Sequence, residues 1–224
     1  MRDSHNRPIE YLRLSLTQRC NFSCAYCGGK AALAEKDELT PGELLALLQA
    51  FAACGITRLR LTGGEPLLRA DLPEIIGLAA SVPEFTDISL TTNGALLRLP
   101  LARRLKAAGL HRINVSVDSL RPERFKKITG GGNLADVLGG IDAALASSLM
   151  PLHINVVLTR GVNDDEADDF LRFAENNPVT VRFIELMPFG GAREGIVPNG
   201  EILARYRELQ PMRKAYSGQP SLDY

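Results

Sequence analysis

The sequence predicts an α/β fold of parallel strands, a partial (βα)6, TIM-like barrel open on one side. Strand-like and helix-like runs alternate six times across short connections, the pattern of parallel βα units. Each strand run alternates apolar with polar residues, whereas a parallel strand covered on both faces is apolar throughout. The residues richest in chemistry follow the strand ends, where α/β folds bind ligands.

Residues 1–10 read as an N-terminal arm. The first strand, at 11–16, runs into Cys20-Asn21-Phe22-Ser23-Cys24-Ala25-Tyr26-Cys27. Thr40-Pro41-Gly42-Glu43 then supplies a cap, a proline at the first helical position and a glutamate at the third. The helix it opens carries Leu44, Leu45, Leu47, Leu48 and Phe51 on one face and ends at Gly55. A strand at 58–62 leads into Gly63-Gly64-Glu65-Pro66, and a helix near 71–81 precedes a strand at 87–92 that ends at Asn93-Gly94. A helix at 100–108 stops at Gly109, a strand follows at 112–117, and a helix covers 121–128. Gly130-Gly131-Gly132 follows no strand and precedes no Lys-Ser/Thr, so it reads as a turn between helices and not as a phosphate loop. Helices at 134–148, 164–176 and 199–209 and strands at 153–158 and 180–184 complete the alternation, the last strand leading to Glu185-Leu186-Met187-Pro188. Residues 11–209 thus form the barrel and 210–224 a tail without pattern.

The length, 224 residues, suits one domain of this kind, and 45% hydrophobic with 23% charged residues is ordinary for a globular protein. A formal net charge of zero provides no field for nucleic acid or an anionic membrane, and no stretch approaches a membrane span or an apolar signal segment. Four cysteines, three of them crowded, suit a reducing cytoplasm better than a disulfide framework. Cys54, standing alone, reads as a small buried residue near a helix end.

The alternation sorts the strand residues into two sets. Leu12, Leu14, Leu59, Leu61, Ile88, Leu90, Ile113, Val115, Ile154, Val156, Val181 and Phe183 share one face; Arg13, Ser15, Arg60, Thr62, Ser89, Thr91, Asn114, Ser116, His153, Asn155 and Arg182 share the other. A closed eight-unit barrel fills its interior with Val, Ile and Leu. A polar inner face therefore implies a wide, wet or ligand-filled lumen. Arg13, Arg60 and Arg182 stand there with only Asp118 and Glu185 as nearby acidic candidates. Burying surplus positive charge is costly. Phosphate oxygens that accept bidentate guanidinium bonds would offset it, so a polyanionic substrate is expected.

The C-x3-C-x2-C spacing lets one loop bring Cys20, Cys24 and Cys27 to one inorganic centre. A 4Fe–4S cluster normally takes four cysteines, so three leave one iron open to another ligand. A structural zinc site is the alternative, although no fourth Cys or His lies at finger spacing. Gly63 and Gly64 permit close approach of backbone to a ligand, and Glu65 adds an acceptor for an ammonium.

The cysteine spacing, Tyr26 before the third cysteine, and Gly63-Gly64-Glu65-Pro66 after the second strand resemble the radical S-adenosylmethionine superfamily. Leu12–Phe22, Arg60–Leu67, Leu90–Gly94, Ile113–Ser119 and Arg182–Phe189 extend the likeness to its GTP 3′,8-cyclase family, of molybdenum cofactor biosynthesis, over residues 7–209. The resemblance implies one 4Fe–4S cluster on Cys20, Cys24 and Cys27, with S-adenosylmethionine chelating the open iron through its amino and carboxylate groups. Reductive cleavage would then give a 5′-deoxyadenosyl radical that takes the ribose C3′ hydrogen of GTP, and the C3′ radical would attack C8. It also implies that Tyr26, Gly64, Ser116 and Met187 bind S-adenosylmethionine and that Arg13, Arg60 and Thr91 bind GTP or another phosphorylated small molecule; Gly63 and Glu65 join the first set, and His153 and Arg182 the second, from their places beside these residues. A reducing protein such as flavodoxin or ferredoxin is the implied electron donor, and a homodimer is compatible.

The sequence departs from the family pattern at several points. His153 stands where the family usually has Lys, Gln18 where it has Asp, and Gly28-Gly29-Lys30 where Met-Pro follows the third cysteine. The chain also stops at Tyr224, before the family's C-terminal region with three more cysteines and a second cluster, so the tail is expected to be the start of that missing region. A short radical enzyme acting on a different anionic or peptide substrate is the second reading.

Overall fold

Six parallel strands pair in strict sequence order in a computed structural model that describes residues 2–27, 38–187 and 195–212. They are β1 (Tyr11–Ser15), β2 (Arg58–Thr62), β3 (Asp87–Thr92), β4 (Arg112–Ser116), β5 (Leu152–Leu158) and β6 (Thr180–Glu185). Seven helices join or follow them among the described residues: α1 (Pro41–Ala53), α2 (Leu72–Ala80), α3 (Leu99–Ala107), α4 (Pro122–Thr129), α5 (Leu134–Ala146), α6 (Ala167–Asn176) and α7 (Asn199–Arg205). A doubly wound sheet reverses its strand order at a switch point; this one never does. With crossovers of one hand, every step places its helix on the same side and leaves the other side concave. The sheet ends at β1 and β6, so the barrel is partial and open, as the alternation implied.

The strand register aligns the polar residues across the sheet. Arg13 pairs with Arg60, Arg60 with Ser89, and Ser89 with Arg112. Further toward the carboxyl ends, Asn114 pairs with His153, Ser116 with Asn155, and Asn155 with Arg182. Side chains at paired positions of a parallel sheet project to the same face. The opposite face carries the core, where Leu59, Leu61, Ile88, Leu90, Ile113, Val115 and Val156 are fully buried. They pack under Leu48 of α1, Ile75 and Ile76 of α2, Leu105 of α3 and Val137 of α5. Leu61→Ala is expected to cost about 2–5 kcal/mol, seen as a lower urea midpoint with an unchanged slope.

The sequence-derived boundaries hold to within four residues, the largest shift being the last helix, expected to reach 209, which ends at Arg205. The helix expected from 164 begins at Ala167, because Asn163 accepts the Thr159 N–H (2.6 Å) and Asp164 accepts the Gly161 N–H (2.8 Å), which stabilises a turn there. The helix expected to reach 148 ends at Ala146, and Ser148 has turned to φ 56°. Pro66–Leu68 forms a short 3-10 turn that the sequence pattern did not announce. Cys54 caps the C-terminal end of α1 as expected of its position, but it is exposed, not buried. Within the N-terminal arm, Asp3 accepts from the backbone of His5 and Arg7 and from the Arg7 side chain, closing a small surface turn. Gly28, Gly29, Lys30, Pro188, Phe189 and the tail beyond Met212 lie outside the described residues.

Candidate functional site

The cysteine loop begins where β1 ends and is fixed first from β2. Gly64 N–H donates to Thr17 O and Glu65 N–H to Arg19 O, both at 2.7 Å, so Gly63-Gly64-Glu65 pairs with the approach to Cys20. A Cβ on Gly63 would stand 2.6 Å from Thr17 O, and one on Gly64 would stand 2.2 Å from Arg19 O. These glycines thus admit the chain's own backbone, a close approach that the sequence reading reserved for a ligand. Behind them Arg19 bonds Glu38 (2.9 and 3.2 Å) and buried Arg69 forks onto Asp71 (2.8 and 2.6 Å), while Thr17 bonds Glu38 as well. Gly64→Ala is expected to lower iron uptake several-fold while leaving the far-ultraviolet circular dichroism unchanged.

The middle of the loop sits on the end of α4. Ser23 N–H donates to Thr129 O and Ala25 N–H to Ile128 O, each at 2.9 Å, so the loop satisfies carbonyls that a helix end leaves open. The glycines after α4 make room for it. Gly130, at φ 69°, would press a Cβ to 2.8 Å from Ser23 O, and Gly132 would press one to 2.8 Å from the Phe22 ring. Phe22 packs edge-on against Phe125 with centroids 6.0 Å apart. Asn93 at the end of β3 donates to Asn21 (2.8 Å), and Tyr26 donates to Asp118 (2.5 Å). The triple glycine is therefore a turn, as read, and also the seat of the cysteine loop, a role its sequence context did not signal.

Cys20, Cys24 and Cys27 line one cavity of about 360 Å³ with Gly63, Gly64 and Ser15. Burial pushes the Cys24 thiol up to about 12, with the charges of Asp118, Cys20 and Cys27 adding to it. Burial raises Cys20 too, with Glu65 and Cys27 contributing. The thiols lie within one another's fields, and soft thiolate donors suit iron–sulfur centres. Among the described residues no group of three or more His, Cys, Asp or Glu side chains is drawn together closely enough to hold a metal ion.

Glu65 is fully buried, and its carboxylate accepts from Leu67 N–H (3.0 Å), Thr92 Oγ1 (2.6 Å) and Asn93 N–H (2.7 Å). Burial raises its pKa against these three bonds. This carboxylate ties the end of β2 to the end of β3, which differs from the free ammonium acceptor that the sequence suggested. Ser116 ends β4 in register with Asn155, and Met187 is 57% exposed beyond β6.

The lumen face below carries the arginines, but its charges differ from the sequence inventory. Arg112 and Asp87 also lie on this face and form a two-pronged ion pair (2.9 and 2.5 Å). Glu185 is not a lumen residue: its parity turns it to the other face, where it accepts from the Asn199 N–H at the start of α7 (2.7 Å). Asp118 pairs with Tyr26 in place of an arginine. Arg60 lies over the Tyr11 ring, 5.3 Å from its centroid. Arg182 reaches Asn114 Oδ1 (3.4 Å) and His153 Nε2 (3.2 Å), and a neutral imidazole with its proton on Nδ1 lets Nε2 accept. Asn114 in turn donates to Leu90 O (3.0 Å) beside Thr91.

The sequence profile of the radical SAM superfamily matches residues 14–174, from within β1 into α6. The chain belongs to the radical SAM superfamily. Among curated proteins it is 45% identical over 218 residues to the GTP 3′,8-cyclase of Moorella thermoacetica, covering 95% of this chain and 67% of that protein. To the GTP 3′,8-cyclase of Alkaliphilus oremlandii it is 42% identical over 219 residues, covering 95% and 68%. The chain thus spans about two thirds of the length of these relatives. Solved structures share the fold: a radical SAM methyltransferase from Sphaerobacter thermophilus superposes with a TM-score of 0.70 at 20% identity, covering 88% of this chain and 62% of that one. The Escherichia coli coproporphyrinogen III oxidase superposes with a TM-score of 0.60 at 16% identity, covering 88% and 52%. The chain is therefore a radical SAM enzyme with GTP 3′,8-cyclase homologues, and membership implies a 4Fe–4S cluster and S-adenosylmethionine. Among the described residues no helix is long and apolar enough to cross a membrane.

Proposed function

We propose that this radical SAM enzyme acts on GTP in the manner its relatives' name states, joining C3′ of the ribose to C8 of the base in molybdopterin precursor synthesis. The observation that carries this reading is the stacking of two sites on one concave face: a thiol-lined cavity at the carboxyl ends of β1 and β2, and aligned arginines below it. Cys20, Cys24 and Cys27 would hold the cluster, which when bound supplies the electron that cleaves S-adenosylmethionine reductively. Gly63, Gly64, Tyr26, Ser116 and Met187 would contact that cofactor, of which Gly63 and Gly64 line the thiol cavity, and Glu65 would support them through its bonds to Thr92 and Asn93. Arg13 and Arg60, side by side in register, would take phosphate oxygens, with Thr91, His153 and Arg182 further along the same face. A flavodoxin- or ferredoxin-like donor would supply the electron, in the reducing cytoplasm that exposed thiols require.

Anaerobic reconstitution with iron and sulfide tests the reading. The expected result is a cluster whose spectrum changes on adding S-adenosylmethionine, followed by GTP-dependent formation of the C3′–C8 product. Uptake of zinc in place of a cluster would overturn it. Cleavage of S-adenosylmethionine without conversion of GTP would favour a different anionic or peptide substrate, or a reaction that needs the third of the relatives' length that this chain does not span.

A further inference from the structure

We propose that Asp118 is a positioning residue for the cofactor site, holding Tyr26 and with it the Cys24–Cys27 end of the loop against the barrel. The inference rests on the proposed role of the three cysteines. Asp118 follows β4 and is 4% exposed. It is held from behind, independently of the loop. Its Oδ1 accepts from Val157 N–H of β5 (2.8 Å), and its carbonyl accepts from Asn163 Nδ2 (2.5 Å). Asn163, 1% exposed, is itself fixed to β5 through Val157 O (2.9 Å) and to Thr159 N–H (2.6 Å). This leaves Oδ2 facing the loop, where it takes the Tyr26 hydroxyl at 2.5 Å.

The place of that bond in the loop gives it its consequence. Thr17 and Arg19 anchor the approach to Cys20, and Ser23 and Ala25 anchor the middle on α4. Cys27 N–H bonds back to Cys24 O (3.0 Å), within the loop itself. Among the described residues the phenol is thus the side-chain tie from this last turn to the strands, beside the Ala25 N–H bond to α4, and a carboxylate acceptor makes it stronger than a bond between neutral groups. A buried bond of this kind restrains local opening.

Tyr26→Phe removes the hydroxyl and keeps the ring, while Asp118→Asn keeps the acceptor for Val157 N–H and presents an amide that the phenol oxygen can accept from. In the metal-free protein, losing a charge-assisted bond should raise the alkylation rate of Cys24 by iodoacetamide roughly tenfold in Tyr26→Phe. Asp118→Asn should stay close to the unsubstituted rate, and both should keep the unsubstituted melting temperature to within a few degrees. After reconstitution, Tyr26→Phe should also show an altered electron paramagnetic resonance spectrum on adding S-adenosylmethionine. Unchanged alkylation in Tyr26→Phe would overturn the proposal, as would equal acceleration in both variants with matching losses of melting temperature. Because alkylation is read without metal, failure of the unsubstituted protein to take up iron would overturn the cluster assignment separately.

Discussion

Cys24→Ser is expected to abolish cluster loading in a chain that still folds. Serine preserves the size of the side chain but offers a hard oxygen with a very high pKa where a soft thiolate is needed. The loss should exceed the roughly 10–100-fold that removing a ligand's supporting hydrogen bond costs. Cys24 is the informative choice of the three because it is the most deeply set, flanked by Ser23 and Ala25, whose amides bind the end of α4. Its thiol, pushed up to about 12 by burial, is protonated at neutral pH, so taking up iron must expel that proton. Cys54→Ser is the internal control: it caps α1 just before β2, at the amino end of the strands and away from the loop. Iron and sulfide per chain, measured after anaerobic reconstitution, should fall to background in Cys24→Ser and remain unchanged in Cys54→Ser. Full loading of Cys24→Ser would remove this loop from consideration as the cluster site.

The strand alternation was legible because a parallel sheet converts sequence parity directly into faces. Arg13, Arg60, Asn114 and His153 share a face for that reason alone, and the register aligns them as parity required. The sites of side-chain competition were less legible. Asp164 fits the start of a helix by periodicity, yet its side chain and that of Asn163 before it bond backbone groups of the preceding turn. Arg112 and Asp87, at the first positions of their strands, are absent from the lumen inventory although their parity with Asn114 and Ser89 places them on that face, where the register also puts them. Gly64 announced a close approach without naming what approaches. The answer, Arg19 O, depends on how β1 and β2 lie side by side. The Tyr26–Asp118 bond joins residues 92 positions apart, and no local pattern in either segment points to the other. Chemistry that follows from spacing was read from the chain; chemistry that follows from convergence of strand ends needed the fold.

Removing Arg13 and Arg60 together is expected to weaken GTP binding about 100-fold or more, since a hydrogen bond to a charged group contributes about 1.5–3 kcal/mol. The two guanidinium-bearing positions are Cα partners across β1 and β2, and strands in a sheet lie about 4.8 Å apart. Two guanidinium groups rooted side by side repel when they are brought together, and an anion between them turns repulsion into attraction; that is the physical case for phosphate at this place. Arg60 is steadied over the Tyr11 ring, whereas Arg13 is exposed, so Arg60→Ala should be the more damaging single change. Arg60→Lys should fall between, because an ammonium keeps the charge without the planar fork. Calorimetric titration with GTP and with guanosine separates charge from packing. If the arginines bind phosphate, the double variant loses affinity for GTP far more than for guanosine, and its GTP affinity depends less on salt. Equal losses for both ligands would mean that the two side chains shape the wall of the lumen and that the anion is held elsewhere, with Arg182 the next position to test because it lies on the same face, bonded to Asn114 and His153.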